Sequence, residues 1–330
     1  MRNRRIYVPG TVLFITSRTE KNLPFTPCKL INEGIWGFLA RAQNLYDISV
    51  CHFVFMANHF HMIVVVKDPS HVSKFIGHIK QETSFMVNRI CGIRQNTNWT
   101  DGFDTPVVLT PDKVIDRIRY LYKNPANAHL VNSINDYPGI SSWHMYRSNI
   151  KETKHLWLKR SEFYPINNLH AMSDSAQSKI ITKMAGDEPK YLPFKLEPNA
   201  WMDCFPEFAN VNREEINKNL IKEILIEERE IPHERGILGS ERLKNQPINK
   251  EFKSEKYSKK FLCLSSNIEL RKKYIKMFKQ VSQLAYDAYK AIKQGVCDII
   301  FPPGTIIPGG KMLQKLSKAQ FYENLGCCYT

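Results

Sequence analysis

The 330-residue chain contains no run of about 18 apolar residues, which excludes a membrane-spanning helix of ordinary length. It contains no C-x-x-C pair. The eight cysteines (Cys28, Cys51, Cys91, Cys204, Cys263, Cys297, Cys327 and Cys328) are scattered, and the one close pair is vicinal. A zinc ribbon and a thioredoxin-like motif are therefore excluded, and scattered thiols fit a reduced, cytoplasmic protein. The basic start Met1-Arg2-Asn3-Arg4-Arg5 leads into no apolar signal core, so export is not expected. Internal repeats are absent too. With 43% hydrophobic and 24% charged residues, the composition excludes general disorder and fibrous architectures.

Positive charge is what the chain has in excess. It holds 47 Lys/Arg against 32 Asp/Glu, a formal net charge of +15. Residues 1–150 carry 17 basic against 10 acidic residues, and residues 151–330 carry 30 against 22. Neither half is a basic tail on a neutral body. An anionic partner is implied, most simply nucleic acid, and both halves can contribute to its contact.

Hydrophobic periodicity predicts a strand over 11–16, a helix over 27–45, and two strands, Ile48–Met56 and His59–Val66, around the two-residue turn Ala57-Asn58. A helix over 71–91, a strand over 105–109 and a helix over 111–123 follow. Asn124-Pro125 is expected to interrupt the last helix, because a residue before proline is biased out of the α region. The pattern predicts an α+β class: a ferredoxin-like antiparallel sheet with helices on one face. Residues 151–210 read as a connector with some structure. Residues 211–330 read as a mainly helical, basic region, with helices over 212–230 and 267–294 and a basic stretch over 246–260. Asn212 is a candidate cap and Gly295 a candidate stop.

Two groups of residues carry candidate chemistry. On a strand, His59 and His61 project to one face and Phe60 to the other. Two adjacent imidazoles suit one divalent metal; the bland alternative is a pair of partly buried histidines satisfied by neighbours. On the helix, Tyr120 and Asn124 are four apart and share a face. A tyrosine nucleophile with a nearby amide oxygen suits metal-assisted phosphoryl transfer, whereas the bland alternative is an interfacial aromatic and a helix-end residue. Tyr122 lies roughly 200° around the helix from Tyr120, so both cannot reach one phosphate.

The stretch Met56-Ala57-Asn58-His59-Phe60-His61-Met62-Ile63-Val64 resembles the M-P-N-H-x-H strand of the single-tyrosine HUH transposases, which include the REP-associated tyrosine transposases. Ile118-Arg119-Tyr120-Leu121-Tyr122-Lys123-Asn124-Pro125-Ala126-Asn127-Ala128-His129-Leu130-Val131 resembles that family's R-Y-hydrophobic-x-x-N-P-x-x-A-x-hydrophobic-V segment. Asp136-Tyr137-Pro138 with Ser141-Ser142-Trp143 resembles its D-Y-P-W-S-S-Y element, and Pro9-Gly10 with Thr16-Ser17-Arg18 its opening strand. The four matches fall in family order over about residues 5–147. Departures are Ala57 in place of a proline, Phe14 where histidine is common, His129 where glycine is common, and one extra residue around Gly139-Ile140.

The resemblance implies a catalytic domain over 1–150 that nicks and rejoins single-stranded DNA near hairpins. His59, His61 and Asn124 would hold Mg²⁺ or Mn²⁺, and Tyr120 would form a 5′-phosphotyrosine link and release a 3′-hydroxyl. Magnesium prefers oxygen ligands while manganese tolerates both, so metal affinity without DNA is expected to be low. Arg4, Arg5, Arg18, Lys80, Arg117, Arg119 and Lys123 are candidate DNA contacts, joined by Lys256, Lys259 and Lys272 further on. The competing readings are a domesticated hairpin-binding protein without mobility and an unrelated H-x-H hydrolase. Compact relatives act as dimers and longer ones as monomers, so chain length favours a monomer while leaving the oligomeric state open.

Overall fold

The computed structural model describes residues 6–20, 23–94, 98–232, 236–248, 250, 260–296, 299–302 and 305. The first elements are β1 (Val12–Arg18), α1 (Lys29–Leu45), β2 (Ile48–Met56), β3 (His59–Val66), α2 (Pro69–Ile90) and the short β4 (Val107–Val108). Their sheet runs in the order β2-β3-β1-β4, every neighbour antiparallel. That is the ferredoxin-like topology of two interleaved βαβ units. The chain continues through α3 (Pro111–Asn127), α4 (Trp143–Arg147), β5 (Glu152–Leu156), α5 (Asp174–Ala185), β6 (Tyr191–Lys195), α6 (Arg213–Arg229), α7 (Ser240–Lys244), β7 (Cys263–Leu264) and α8 (Ile268–Lys293). Strand β7 returns to the sheet and pairs parallel with β4, while β5 and β6 form a separate antiparallel pair.

The β2–β3 hairpin is the one read from the sequence. Met56 pairs with His59 across the Ala57-Asn58 turn. A bulge at Cys51 shifts the register, so Phe53, Phe55, Phe60 and Met62 share one face, while His52, Val54, His61 and Ile63 share the other. The first face is a dry core. Phe53, Phe60 and Met62 are fully buried, each worth about 1.5–3 kcal/mol relative to exposure. Helices α1 and α2 cover it: Trp36 packs edge-on to Phe53, and Trp99, edge-on to Phe60 of the same face, donates its indole N–H to Thr83 of α2.

The α+β class and the antiparallel β1–β4 sheet match the expectation; the placement of helices is corrected. α3 packs on the opposite face, with Tyr120 against His61 and Tyr122 against His52. Ile63 and Val65 leave that face apolar, and the α3 stripe Val114, Ile118, Leu121 and Tyr122 buries it. The expected interruption at Asn124-Pro125 is corrected as well. α3 continues to Asn127, since Pro125 removes only one N–H, Pro125 and Ala126 are buried, and the Ala128 N–H still reaches Asn124 O at 3.0 Å. His129 then adopts φ +53°, the left-handed turn conformation that glycine takes without strain.

Residues 151–210 hold more structure than the word connector suggests. The β5–β6 pair lies on α1, where Gly37 admits the Leu156 carbonyl into space a Cβ would fill. Gln43 and Asn44 of α1 donate to the backbone carbonyls of Lys195 and Pro193, both at 2.8 Å. In α6 the Asn212 cap accepts from Glu215 N at 3.2 Å, and Gly295 follows α8 at φ +83°. Among the described residues, no helix is long and apolar enough to cross a membrane, and none of Cys28, Cys51, Cys91, Cys204 and Cys263 forms a disulfide.

Candidate active site

Strands β1 and β3 set the position of the histidine pair. The antiparallel register places Thr16 opposite His61 and Arg18 opposite His59. Thr16 Oγ1 hydrogen-bonds His61 Nδ1 at 2.9 Å. His59 Nδ1 lies 2.7 Å from Asn58 Oδ1, an oxygen that can only accept, so His59 donates from Nδ1 and keeps a lone pair on Nε2. The two rings stand 4.9 Å apart between centroids. The shared face expected from the i, i+2 spacing is therefore present.

His61 is 2% exposed, and its Nε2 has no hydrogen-bond partner among the described residues. A buried imidazole nitrogen without a partner costs free energy in the isolated chain. Burial, the neighbouring His59 and the cations Arg18 and Arg117 hold His61 well below the usual imidazole range. Burial and Arg18 push His59 down to about 3, against a hydrogen bond with the Asn124 side chain that works the other way. Both rings are neutral at physiological pH, the protonation state in which imidazole binds metals.

Helix α3 brings Tyr120 and Asn124 to the same place. The Tyr120 ring lies 5.2 Å from His61, and Asn124 hydrogen-bonds His59. Continuation of the helix through Pro125 is what keeps Tyr120 and Asn124 on one face. Phe14, at the position where a histidine was anticipated, stacks on His61 at 5.3 Å and meets the Tyr120 edge at 6.1 Å. The Arg117 guanidinium sits 5.4 Å from the Tyr120 centroid. Around these groups lies a cavity of about 160 Å³ lined by Thr16, Arg18, His61, Arg117, Tyr120 and others.

Tyr122 is different. It is fully buried, bonded at 2.8 Å to both His52 Nδ1 and Ser142 Oγ. Burial raises its phenol well above the ordinary value. The Ser141-Ser142 segment fixes this arrangement, since Ser141 bridges to Val54 and Ser142 Oγ accepts from Phe53 N at 2.8 Å.

The candidate DNA contacts divide. Arg18 and Arg117 line the cavity. Three others are engaged by protein groups in this structure. Lys80 donates to the Thr100 and Gly102 carbonyls at 2.9 and 2.5 Å. Arg119 pairs with Glu223, and Lys123 with Glu227, both on α6. The acidic α6 face could not be placed against α3 from the sequence, which gives charge spacing but not docking. Lys272 pairs with Glu269 at 2.9 Å on an exposed part of α8 and does not line the cavity. Arg4, Arg5, Lys256 and Lys259 lie outside the described residues.

Sequence reasoning missed two contributors, Thr16 and Phe261, and reached Lys260 only as part of the basic stretch over 246–260. Thr16 orients His61, a role that becomes visible only with the β1–β3 register. Lys260 and Phe261, ahead of β7, line the cavity from a region more than a hundred residues away in sequence. A larger groove of about 760 Å³, bordered by Trp36, Tyr137, Trp143 and His155, holds none of the predicted site residues. No group of three or more His, Cys, Asp or Glu side chains suited to a metal occurs among the described residues, so a metal here would depend on two imidazoles and an amide.

A sheet face bearing paired neutral imidazoles beside a helix-borne tyrosine is a composition suited to phosphoryl chemistry on an anionic polymer. Residues 29–114 match the family model described as "Transposase IS200 like". This segment of the chain is thus similar to IS200-like transposases, in agreement with the resemblance drawn from its motifs. The match includes both histidines and ends ahead of Tyr120. A solved structure of a REP-associated tyrosine transposase bound to a REP hairpin is similar over 45% of this chain and 86% of its own, at 18% identity and a TM-score of 0.38. No curated protein matches the chain.

Proposed function

We propose that this protein is a metal-dependent enzyme that nicks single-stranded DNA beside a hairpin and rejoins strands, with Tyr120 as nucleophile. The observation that carries the reading is the unpartnered, buried His61 Nε2 beside the Tyr120 ring. A nitrogen left in that state on a neutral imidazole is a ligand position awaiting a cation. His59, His61 and Asn124 fit Mn²⁺ or Mg²⁺, with the oxygen-rich remainder of the shell drawn from phosphate and water. When bound, the ion supplies Lewis-acid polarisation of the scissile phosphate.

The protein's own groups do the rest. The Tyr120 oxygen attacks phosphorus as its proton leaves. The bond from phosphorus to the 3′-oxygen breaks, giving a 5′-phosphotyrosine and a free 3′-hydroxyl. Attack by a 3′-hydroxyl on that link reverses the chemistry, so bond energy is conserved and no nucleotide is consumed. Arg117 over the Tyr120 ring, together with Arg18 beside His59, supplies positive charge where the phosphate would sit. In this reading residues 1–150 are the catalytic domain, and the basic remainder extends its DNA surface.

The test is a covalent-capture assay. The full chain is mixed with labelled single strands bearing varied hairpins, with Mn²⁺, Mg²⁺ or chelator. A denaturing-gel adduct that requires metal is expected. Hairpin binding with no adduct under any metal would favour a domesticated binding protein instead, and no binding at all would end the DNA reading.

A further inference from the structure

The cavity beside Tyr120 is completed by a segment outside the family-matched region. The strand β7 pairs parallel with β4, with Val107 N donating to Leu262 O at 3.1 Å and Leu109 N to Leu264 O at 2.8 Å. This pairing fixes Lys260 and Phe261 at the cavity rim. The Lys260 ammonium pairs with Asp104 at 3.0 Å, and Asp104 exchanges two backbone hydrogen bonds of 2.9 Å with Thr16. Thr16 in turn holds His61. The late segment is therefore linked to His61 through Asp104 and Thr16.

Phe261 is open in that setting. It is 60% exposed and borders a cavity lined by Phe14, Tyr120 and Arg117. What sets it apart from other exposed apolar side chains is this position, a flat aromatic face beside cations at the candidate site. It is well suited to a single strand, whose phosphates seek the cations and whose bases offer flat faces.

We propose that Phe261 is a stacking platform for the nucleobase flanking the scissile phosphate, making it a positioning residue contributed by the C-terminal region. This deepens the nicking reading and rests on it. The ring meets the base while Arg18 and Arg117 face the phosphate, so the strand is held on both sides of the bond that Tyr120 attacks. Because every base has a π-face, this contact holds the strand with little sequence preference.

The experiment uses the full chain and hairpin-bearing strands with 2-aminopurine placed in turn at each position around the cleavage site. Wild type should quench the fluorophore at one flanking position. Phe261→Ala should lose that quench and about tenfold in affinity, while Phe261→Trp should retain both. An abasic site at the same position should weaken wild type and leave Phe261→Ala unaffected. Equal quench and affinity in wild type and Phe261→Ala would overturn the proposal while leaving the nicking reading intact. So would an affinity loss that persists on the abasic strand, or one that accompanies a matching fall in melting temperature. If wild type binds none of the strands, the proposal falls together with the reading beneath it.

Discussion

Two tyrosines stand two residues apart on α3, and the fold treats them in opposite ways. Tyr122 points into a closed network with His52 and Ser142, fully buried and doubly hydrogen-bonded. Tyr120 is only partly buried, borders a cavity, and meets His61, Phe14 and Arg117 through its ring. Helical rotation alone separates them by roughly 200°, and the sheet face beneath does the sorting. A tyrosine whose hydroxyl is committed on two sides has no freedom to attack. In the proposed reading, the one left at a cavity beside the unpartnered His61 nitrogen does, so reactivity would lie in what surrounds the phenol and not in the phenol itself.

The largest expected effect comes from exchanging the two. Tyr120→Phe should lower covalent adduct formation by at least about 100-fold with an unchanged denaturation midpoint. Tyr122→Phe should keep the adduct but cost about 1–3 kcal/mol of stability, because His52 Nδ1 and Ser142 Oγ lose a buried partner. Denaturant titration and adduct gels on both variants measure this. Loss of the adduct in a stably folded Tyr122→Phe would break the comparison.

A second effect is on pH. Burial pushes the His52 imidazole down to about 3 in the folded chain, whereas an unfolded histidine titrates near 6.5. As pH falls below about 6.5 the unfolded state binds the proton first, so stability declines from there until about pH 3. His59, held down to about 3, and His155, held down to about 4, add in the same direction. Replacing His52 by Gln should flatten the curve between pH 6 and 4 in part. An unchanged slope would mean that burial does not hold His52 neutral.

The smallest effect concerns the helix that carries both tyrosines. Arg119 and Lys123 pair with Glu223 and Glu227 at partly exposed positions. Such pairs are weak, so a Glu223→Gln, Glu227→Gln double variant should lose no more than about 1 kcal/mol. Freed of their partners, the two cations should steepen the salt dependence of DNA binding, by up to about one unit of log–log slope each. A salt series on both proteins reads this directly.

Much of the site was legible because its spacing is local. The i, i+2 histidines and the i, i+4 tyrosine and asparagine need only a strand and a helix to share a face, and both elements formed. The hairpin around Ala57-Asn58 was legible for the same reason. Pro125 was misread because the pre-proline bias is a local preference, which the burial of Pro125 and Ala126 overrides. The side of the sheet on which α3 lies, the α6 carboxylates against Arg119 and Lys123, and Phe261 at the cavity rim were not legible. Each depends on docking across a long stretch of chain, and amphipathic pattern names a buried face without naming what covers it.

The central claim is that Tyr120 becomes the DNA-linked residue. The most direct test is to trap the covalent complex of wild type with a hairpin-bearing strand and metal, digest it, and map the nucleotide-bearing peptide by mass spectrometry. The account predicts a phosphodiester-derived remnant on Tyr120 alone. A remnant on Tyr122, or on any other residue, would contradict it.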